Sequence, residues 1–267
     1  MGPADAPPRA DADADLERRF GGLRRLYGDA GYQRLRSAVV GVVGLGGVGS
    51  WAVEALARCG VAGLVLVDLD HVAESNVNRQ VQALGATLGQ HKGQALRERI
   101  ADIHPGCRVD VVDAFVEPSN CPALLARPVD VLIDACDQVR AKLALATWGL
   151  AEGVPVVCVG AAGGKREAQR VEVADIAETT HDPLLASLRQ RLRKEAGAPR
   201  QGAIGLRCVF SRESVAAPAD AACVVGDSDG TLNCHGYGST VTVTATFGLV
   251  AAGEAISQLL AARSRGG

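Results

Sequence analysis

The sequence predicts an α/β protein: a Rossmann-like, doubly wound, mainly parallel sheet with additional C-terminal strands and a closing helix. Three observations predict it. The apolar run Ala38–Val43 ends in the glycine turn Gly44-Leu45-Gly46-Gly47-Val48-Gly49 and passes directly into Trp51–Cys59, which has helical composition. Short apolar runs at Leu64–Val67, Val129–Ile133 and Pro155–Val159 alternate with helical stretches at Lys92–Ile103 and Ala141–Leu150. Two of those runs are followed at once by a carboxylate, Asp68 and Asp134. Runs that are apolar throughout belong to strands covered on both faces, and their alternation with helices is the pattern of a parallel sheet.

Taken in order, Met1–Asp15 is rich in Ala, Asp and Pro, with neither a basic nor an apolar region of a signal peptide, and is expected to be a disordered tail. Residues 16–263 are expected to form one domain, without repeats or a linker. Phe20–Leu35 reads as a helix with a basic start (Arg18, Arg19, Arg24, Arg25). Gly60 suits the C-cap of the helix after the glycine turn. Arg108–Val112 is a further strand. Beyond Gly160 the rhythm changes: Gln169–Asp175 is a strand in a polar setting, Leu184–Glu195 a basic helix, and Gly197–Gly238 a flexible crossover (about 197–238). Val241–Phe247 is β-branched and reads as a strand, with Gly248–Ala262 closing as a helix. Val241–Leu260 is also the one stretch of membrane-spanning length. Its Thr-rich first half, with Glu254 and Gln258 in its second, favours a buried strand and helix over insertion. Peripheral membrane association is the alternative to a plain cytoplasmic location.

Hydrophobic residues make up 48% of the 267 residues and charged ones 22%, enough to bury a sizeable core, and with aromatics at 3% that core must be aliphatic. A net charge of −2 supplies no global field for nucleic acid, so any such contact needs a local patch. Arg189, Arg191, Arg193, Lys194 and Arg200 form one candidate, and a solvated helical face explains the same charges. The 8 cysteines contain no C-x-x-C pair and read as reduced core residues of a cytosolic protein.

The glycine turn lets backbone N–H groups approach a phosphate at a helix N-terminus, and Asp68 suits a ribose diol. Alone this does not separate NAD from ATP. The segment Asp68-Leu69-Asp70 through Asn76-Val77-Asn78-Arg79-Gln80 does, because a triphosphate needs cations and donors beyond the second strand. Arg79 offers a bidentate grip, Asn76 a donor and Lys92 a positive charge, while Asp134 at a strand end is expected to bind Mg²⁺, with Asp137 one turn on. The NAD-dependent oxidoreductase alternative lacks a recognisable catalytic set.

The segments GLGGVGSW, DLDHV, SNVNRQ, the Lys92 helix and IDACD resemble the adenylation domain of the ubiquitin-activating superfamily, the ThiF/MoeB-like enzymes. The resemblance implies Asp68 on the ribose; Asn76, Arg79 and Lys92 on phosphates; Asp134 on the metal; Gly44, Gly46, Gly47, Gly49, Asp70 and Gln80 among the nucleotide-binding residues; and Arg79, Lys92 and Asp134 as the catalytic set. Activators of sulfur-carrier proteins in that group carry paired C-x-x-C zinc sites, which this sequence lacks, so no zinc is expected and adenylation of a carrier C-terminus is the alternative function. RRFGGLRRLYG, RERIADIHP, GAAGG, HDPLLASLRQRLRK, CVFS and TVTATFG instead resemble the tRNA threonylcarbamoyladenosine dehydratase family, from about Phe20 to Leu260. That resemblance implies ATP and Mg²⁺, a tRNA partner carrying threonylcarbamoyladenosine, adenylylation of its threonyl carboxylate, and ring closure with loss of AMP. The superfamily also implies a homodimer in which Arg19 reaches the partner's ATP phosphates. A sulfur-transfer partner is implied too, for which Cys234, with Cys223 before it, is the candidate acceptor; a packing role is the competing reading.

Overall fold

The structure, a computed structural model, describes residues 15–124, 128–216 and 237–261. The predicted N-terminal tail therefore lies outside the described residues, except for Asp15. That residue is an N-cap, its carboxylate accepting the Arg18 N–H at the head of α1 (Leu16–Phe20). Helix α2 (Gly22–Ser37) follows after Gly21 and is kinked at Gly28.

Seven strands form one sheet: β1 (Val39–Val43), β2 (Gly63–Val67), β3 (Arg108–Val112), β4 (Val131–Asp134), β5 (Val156–Val159), β6 (Val171–Asp175) and β7 (Arg207–Ser211). Their spatial order is β3-β2-β1-β4-β5-β7-β6. Every neighbouring pair is parallel except β6 with β7. The chain reverses its direction of travel across the sheet between β1 and β4, and in such sheets the crevice at that switch point, beyond the strand C-termini, is where ligands bind. The valine-rich strands β1, β2 and β4 are buried almost throughout, as strands covered on both faces must be.

Helices α3 (Gly49–Arg58), α4 (Lys92–Ile103) and a last helix α8 (Val241–Ala261) belong to one apolar layer with β1, β2 and β4. On the other face α6 (Val139–Glu152) buries Leu145, and α7 (Pro183–Glu195) Leu185, Leu188 and Leu192, against β4, β5 and β7. A short helix, α5 (Cys121–Leu124), precedes β4.

Two sequence expectations are corrected. Val241–Phe247 is helical, not a strand, and is continuous with the rest of α8. Its buried residues Val243, Thr244, Phe247, Gly248, Ala251, Ala252, Ala255, Ile256 and Leu259 recur at helical spacing. Small residues let its backbone approach α3: a Cβ on Gly248 would stand 2.4 Å from the Val48 carbonyl oxygen. By length and composition this 21-residue helix could cross a membrane, yet half of its most apolar window is buried inside the fold. The second correction concerns 197–238, which contains an ordered interior strand. β7 sits between β5 and β6, with Cys208, Val209 and Phe210 fully buried. Residues 217–236 of that stretch lie outside the described residues.

Candidate active site

A cleft opens over the C-terminal ends of β1, β2, β4 and β5. Gly44, Gly46, Gly47, Asp68, Asp70, Arg79, Gln80 and Lys92 line one side. Asp137, Gln138 and Ala161–Gly163 line the other.

The glycine turn has its shape for local reasons. Gly44 stands at φ +85°, and a Cβ there would meet the Ala135 carbonyl oxygen at 2.9 Å. A Cβ on Gly49 would lie 1.8 Å from the Gly44 oxygen, so this glycine serves the tight turn onto α3 and does not line the cleft. Gly46 has nothing within 4 Å on its Cβ side. Asp68 fastens the turn to the end of β2: one carboxylate oxygen accepts the Leu45 N–H at 2.6 Å, the other the Asp70 N–H at 2.9 Å. Each oxygen keeps a lone pair for a hydroxyl donor.

The cationic side is held by short contacts. Lys92 opens α4, is 6% exposed, and donates to Asp70 at 2.7 Å. Its neighbour His91 caps α4 by accepting the Gly93 N–H through Nδ1, so its Nε2–H is the donor to the Asp68 carbonyl at 3.0 Å. Nothing in the sequence marks His91, because a loop histidine carries no pattern. The Arg79 guanidinium donates to the Ser75 carbonyl at 2.8 Å and to Asn78 at 3.0 Å, and its backbone oxygen receives the Trp51 indole N–H. Gln80 is 5% exposed and accepts from Gln82.

Several predicted residues stand elsewhere. Asp134, expected as the metal ligand, is fully buried and does not line the cleft; its carboxylate is 3.2 Å from the equally buried Lys142 ammonium. After β4 it is Asp137, an exposed residue, whose carboxylate lines the cleft wall. Asn76, expected on phosphate, is 7% exposed and turned inward, its Oδ1 accepting the Ala73 N–H at 3.0 Å as a cap. Arg19 caps the end of α4, donating to the Asp102 and Ile103 carbonyls at 2.9 and 2.7 Å, and does not line the cleft of its own chain. Cys223 and Cys234 lie outside the described residues. Cys136 does line the cleft, but burial, then the Asp134 carboxylate, push its thiol well up, so it is no thiolate nucleophile.

The far wall rests on residues to which the sequence reading assigned nothing. Lys165 is buried and donates to the Glu213 and Ser211 carbonyls at 2.7 and 3.2 Å. The Glu213 carboxylate in turn accepts the Arg166 and Glu167 N–H groups. Asp182 accepts the Ala161 N–H at 2.8 Å and caps α7 through the Leu185 N–H.

Beyond this wall a groove runs along α7. Thr179–Pro183, Ala186, Arg189 and Val215 line its first part, which shares Pro183 and Val215 with the cleft. Arg189, Gln190, Arg193, Lys194 and Arg200 line its second. Arg189 is committed to the Ile176 and Thr179 carbonyls, and Arg191 pairs with Glu195 outside the groove. Lys194 and Arg200 carry no ion pair among the described residues.

A parallel sheet whose switch-point cleft joins a glycine turn to Arg79, Lys92 and Asp137 defines a nucleotide-binding protein of the adenylating kind. Residues 19–265 match the ThiF family, and the chain belongs to it. Among curated proteins it is 41% identical to the tRNA threonylcarbamoyladenosine dehydratase of Escherichia coli, over 93% of this chain and 96% of that one. The enzyme of the same name from Haemophilus influenzae is 38% identical over 94% and 96%. Among solved structures, the E. coli tRNA N6-threonylcarbamoyladenosine dehydratase in complex with ATP superposes with a TM-score of 0.85 at 40% identity, covering 96% of this chain and 99% of that one.

Proposed function

We propose that this chain is an ATP-dependent tRNA threonylcarbamoyladenosine dehydratase. The observation that carries the reading is the nucleotide cleft itself, intact within a chain alignable almost end to end with enzymes of that name. ATP lies with its ribose hydroxyls on Asp68 and its phosphates between the glycine turn, Arg79 and Lys92. The threonyl carboxylate attacks the α-phosphorus and pyrophosphate departs. A nucleophile of the modified base then attacks the acyl carbon, closing the ring and expelling AMP. The second step is intramolecular, so the walls need only hold the substrate in position, and no enzyme thiol takes part.

The donor set fits Mg²⁺. Among the described residues there is no group of three or more His, Cys, Asp or Glu side chains placed to cage a metal. On the wall opposite Lys92, the exposed carboxylate of Asp137 suits an ion that would keep water and take its other ligands from substrate phosphates. When bound there, Mg²⁺ neutralises charge building on the phosphates. The ammonium of Lys92 does the same from the opposite wall, held ready by Asp70.

Substrate RNA is assigned to the α7 groove. Arg193, Lys194 and Arg200, beside the committed Arg189, line a second part that holds no carboxylate, and the first part, whose Asp182 is spent on capping α7, leads into the cleft. Arg191, spent on Glu195, is not part of this surface. The double variant Lys194→Glu/Arg200→Glu is expected to weaken tRNA binding at least tenfold and flatten its salt dependence by about two phosphate contacts, with ATP binding unchanged. Equal weakening of ATP and tRNA would send the RNA to another face.

The reading places the enzyme in the cytoplasm and as a homodimer, with apolar Leu26 and Leu249 exposed on the isolated chain. Sedimentation measures the dimer. A sulfur-transfer partner acting through Cys234 is a separate proposal, decided by passage of labelled sulfur to wild type and not to Cys234→Ser. The central experiment incubates the protein with ATP, Mg²⁺ and tRNA bearing threonylcarbamoyladenosine, then weighs the digested nucleosides. Loss of one water, dependent on ATP, is the expected result. Unchanged nucleoside with ATP consumed against a carrier protein's C-terminal Gly-Gly would transfer the assignment to carrier activation.

A further inference from the structure

Beneath the cleft lies an ion pair that touches no ligand surface. Lys142, on the first turn of α6, and Asp134, the last residue of β4, are both fully buried. All their hydrogen-bonding capacity is used. The ammonium donates to the Val159 carbonyl at 2.7 Å, the Asp134 carbonyl at 3.3 Å and the Asp134 carboxylate at 3.2 Å. The carboxylate also accepts the Cys136 N–H at 3.2 Å, the Cys136 thiol at 2.8 Å and the Cys158 thiol at 3.3 Å. Burial alone would lower the Lys142 pKa; the Asp134 carboxylate and nearby thiols outweigh it, and the group stays charged.

Such a pair is poorly explained by stability. Desolvating two charges costs several kcal/mol each, and apolar residues of similar volume commonly replace a buried pair at no loss. Its location explains it better. The β4–β5 ladder ends at Asp134 opposite Cys158. Beyond that point β4 becomes the wall Ala135–Gln138 and β5 becomes the wall Gly160–Gly163. Lys142 grips the last carbonyl of each strand, continuing the pairing with a side chain where the backbone has none. The Ala135–Cys136 peptide is thereby fixed from below by Asp134. From above it is fixed by Gly44, at which a Cβ would come within 2.9 Å of that peptide. Asp137 is the next residue of that wall.

We propose that the Lys142–Asp134 pair is a positioning device, setting the separation of the two cleft walls so that Asp137 and the glycine turn act on the same phosphate; this rests on the adenylylation reading above. The ribose and cation contacts, Asp68, Arg79 and Lys92, follow β2 or open α4, and neither half of the pair bonds to them. Losing the pair therefore leaves ATP held and the reacting groups misplaced, a displacement worth about 100-fold in rate for each ångström or so.

The test uses the full chain with Lys142→Met/Asp134→Leu, which refills the space with apolar side chains. Wild type is assayed alongside; failure of wild type to release pyrophosphate with the modified tRNA would count against the adenylylation reading and remove this proposal's premise with it. Given active wild type, the double variant is expected to melt at or above the wild-type temperature and to bind ATP calorimetrically within about threefold, with KM for ATP similarly unchanged and kcat down by about 100-fold. A stable variant with kcat within threefold of wild type would reduce the pair to packing. ATP affinity falling in step with kcat would make it a binding element and overturn positioning. Should the double variant fail to fold, Asp134→Asn, nearly isosteric, is read by the same split between ATP affinity and kcat.

Discussion

At the scale of single residues, the cleft separates carboxylates that the sequence presents as equals. Asp134 ends β4 and Asp137 stands three residues on, before α6, yet one is entombed against Lys142 and the other lines the cleft. Asp137→Asn is therefore expected to lower kcat for adenylylation by 100-fold or more while changing the unfolding free energy by less than about 0.5 kcal/mol, since it is an exposed side chain. Steady-state kinetics beside thermal unfolding reads both, and an active Asp137→Asn would move the metal off this residue. The sequence made Gly44, Asp68, Arg79 and Lys92 legible because their chemistry is local: a turn, a strand end, a cation. What it hid is direction. Asn76 is one turn of chain from Arg79, but its amide faces inward to cap the Ala73 N–H, and Arg19 spends its guanidinium on the end of α4. Orientation of this kind is decided by packing partners distant in sequence.

At the scale of elements, α8 shows why a β-branched run was misread. Val241, Thr242, Val243 and Thr244 favour strand locally, but the small residues that follow fit a helix laid closely on α3. The same reasoning separates two glycines of that helix. Alanine favours a helix over glycine by about 1 kcal/mol. At Gly253 nothing lies within 4 Å of the new methyl, so Gly253→Ala is expected to stabilise by about 0.5–1 kcal/mol. At Gly248 the methyl would fall 2.4 Å from the Val48 oxygen and 2.8 Å from the Trp51 Cβ, and Gly248→Ala is expected to destabilise by about 1–3 kcal/mol despite its better propensity. Chemical denaturation of both variants measures the contrast, and equal effects would mean that α8 stands further from α3. β7 is hidden for a related reason: its three apolar residues, Cys208–Phe210, form too short a run to announce an interior strand.

At the scale of the molecule, the parallel core was legible because β1, β2, β4 and β5 carry unbroken apolar runs, whereas the fastening of the N-terminal helices to that core was not. Arg34 ties α2 to the Leu259 and Leu260 carbonyls of α8, and a second junction is buried. His104, fully buried at the end of α4, packs tilted against Phe20 of α1 at 4.7 Å between ring centroids and meets the Arg36 guanidinium of α2 at 2.8 Å. Arg36 also donates to the Gly60 carbonyl, and Arg19 adds a second positive charge nearby. Burial first, then Arg36, depresses the imidazole from 6.5 to about 4. The unfolded chain binds this proton near pH 6.5 and the folded chain only near 4. The folded state is therefore favoured fully above 6.5, and the advantage, on the order of 3 kcal/mol, is lost as pH falls through that window. The other buried acid-sensitive group of this layer, Glu54, is kept low by Arg99 and Arg58 against the opposing effect of burial, and so titrates below its ordinary 4.5. Between pH 6.5 and 5 the loss of stability is thus attributable to His104. Wild type is expected to lose about 2 kcal/mol across that interval in denaturant unfolding, and His104→Gln, lower in stability at pH 7, to lose little further. A variant that kept the wild-type slope would place the titrating proton elsewhere and leave this junction a matter of packing alone.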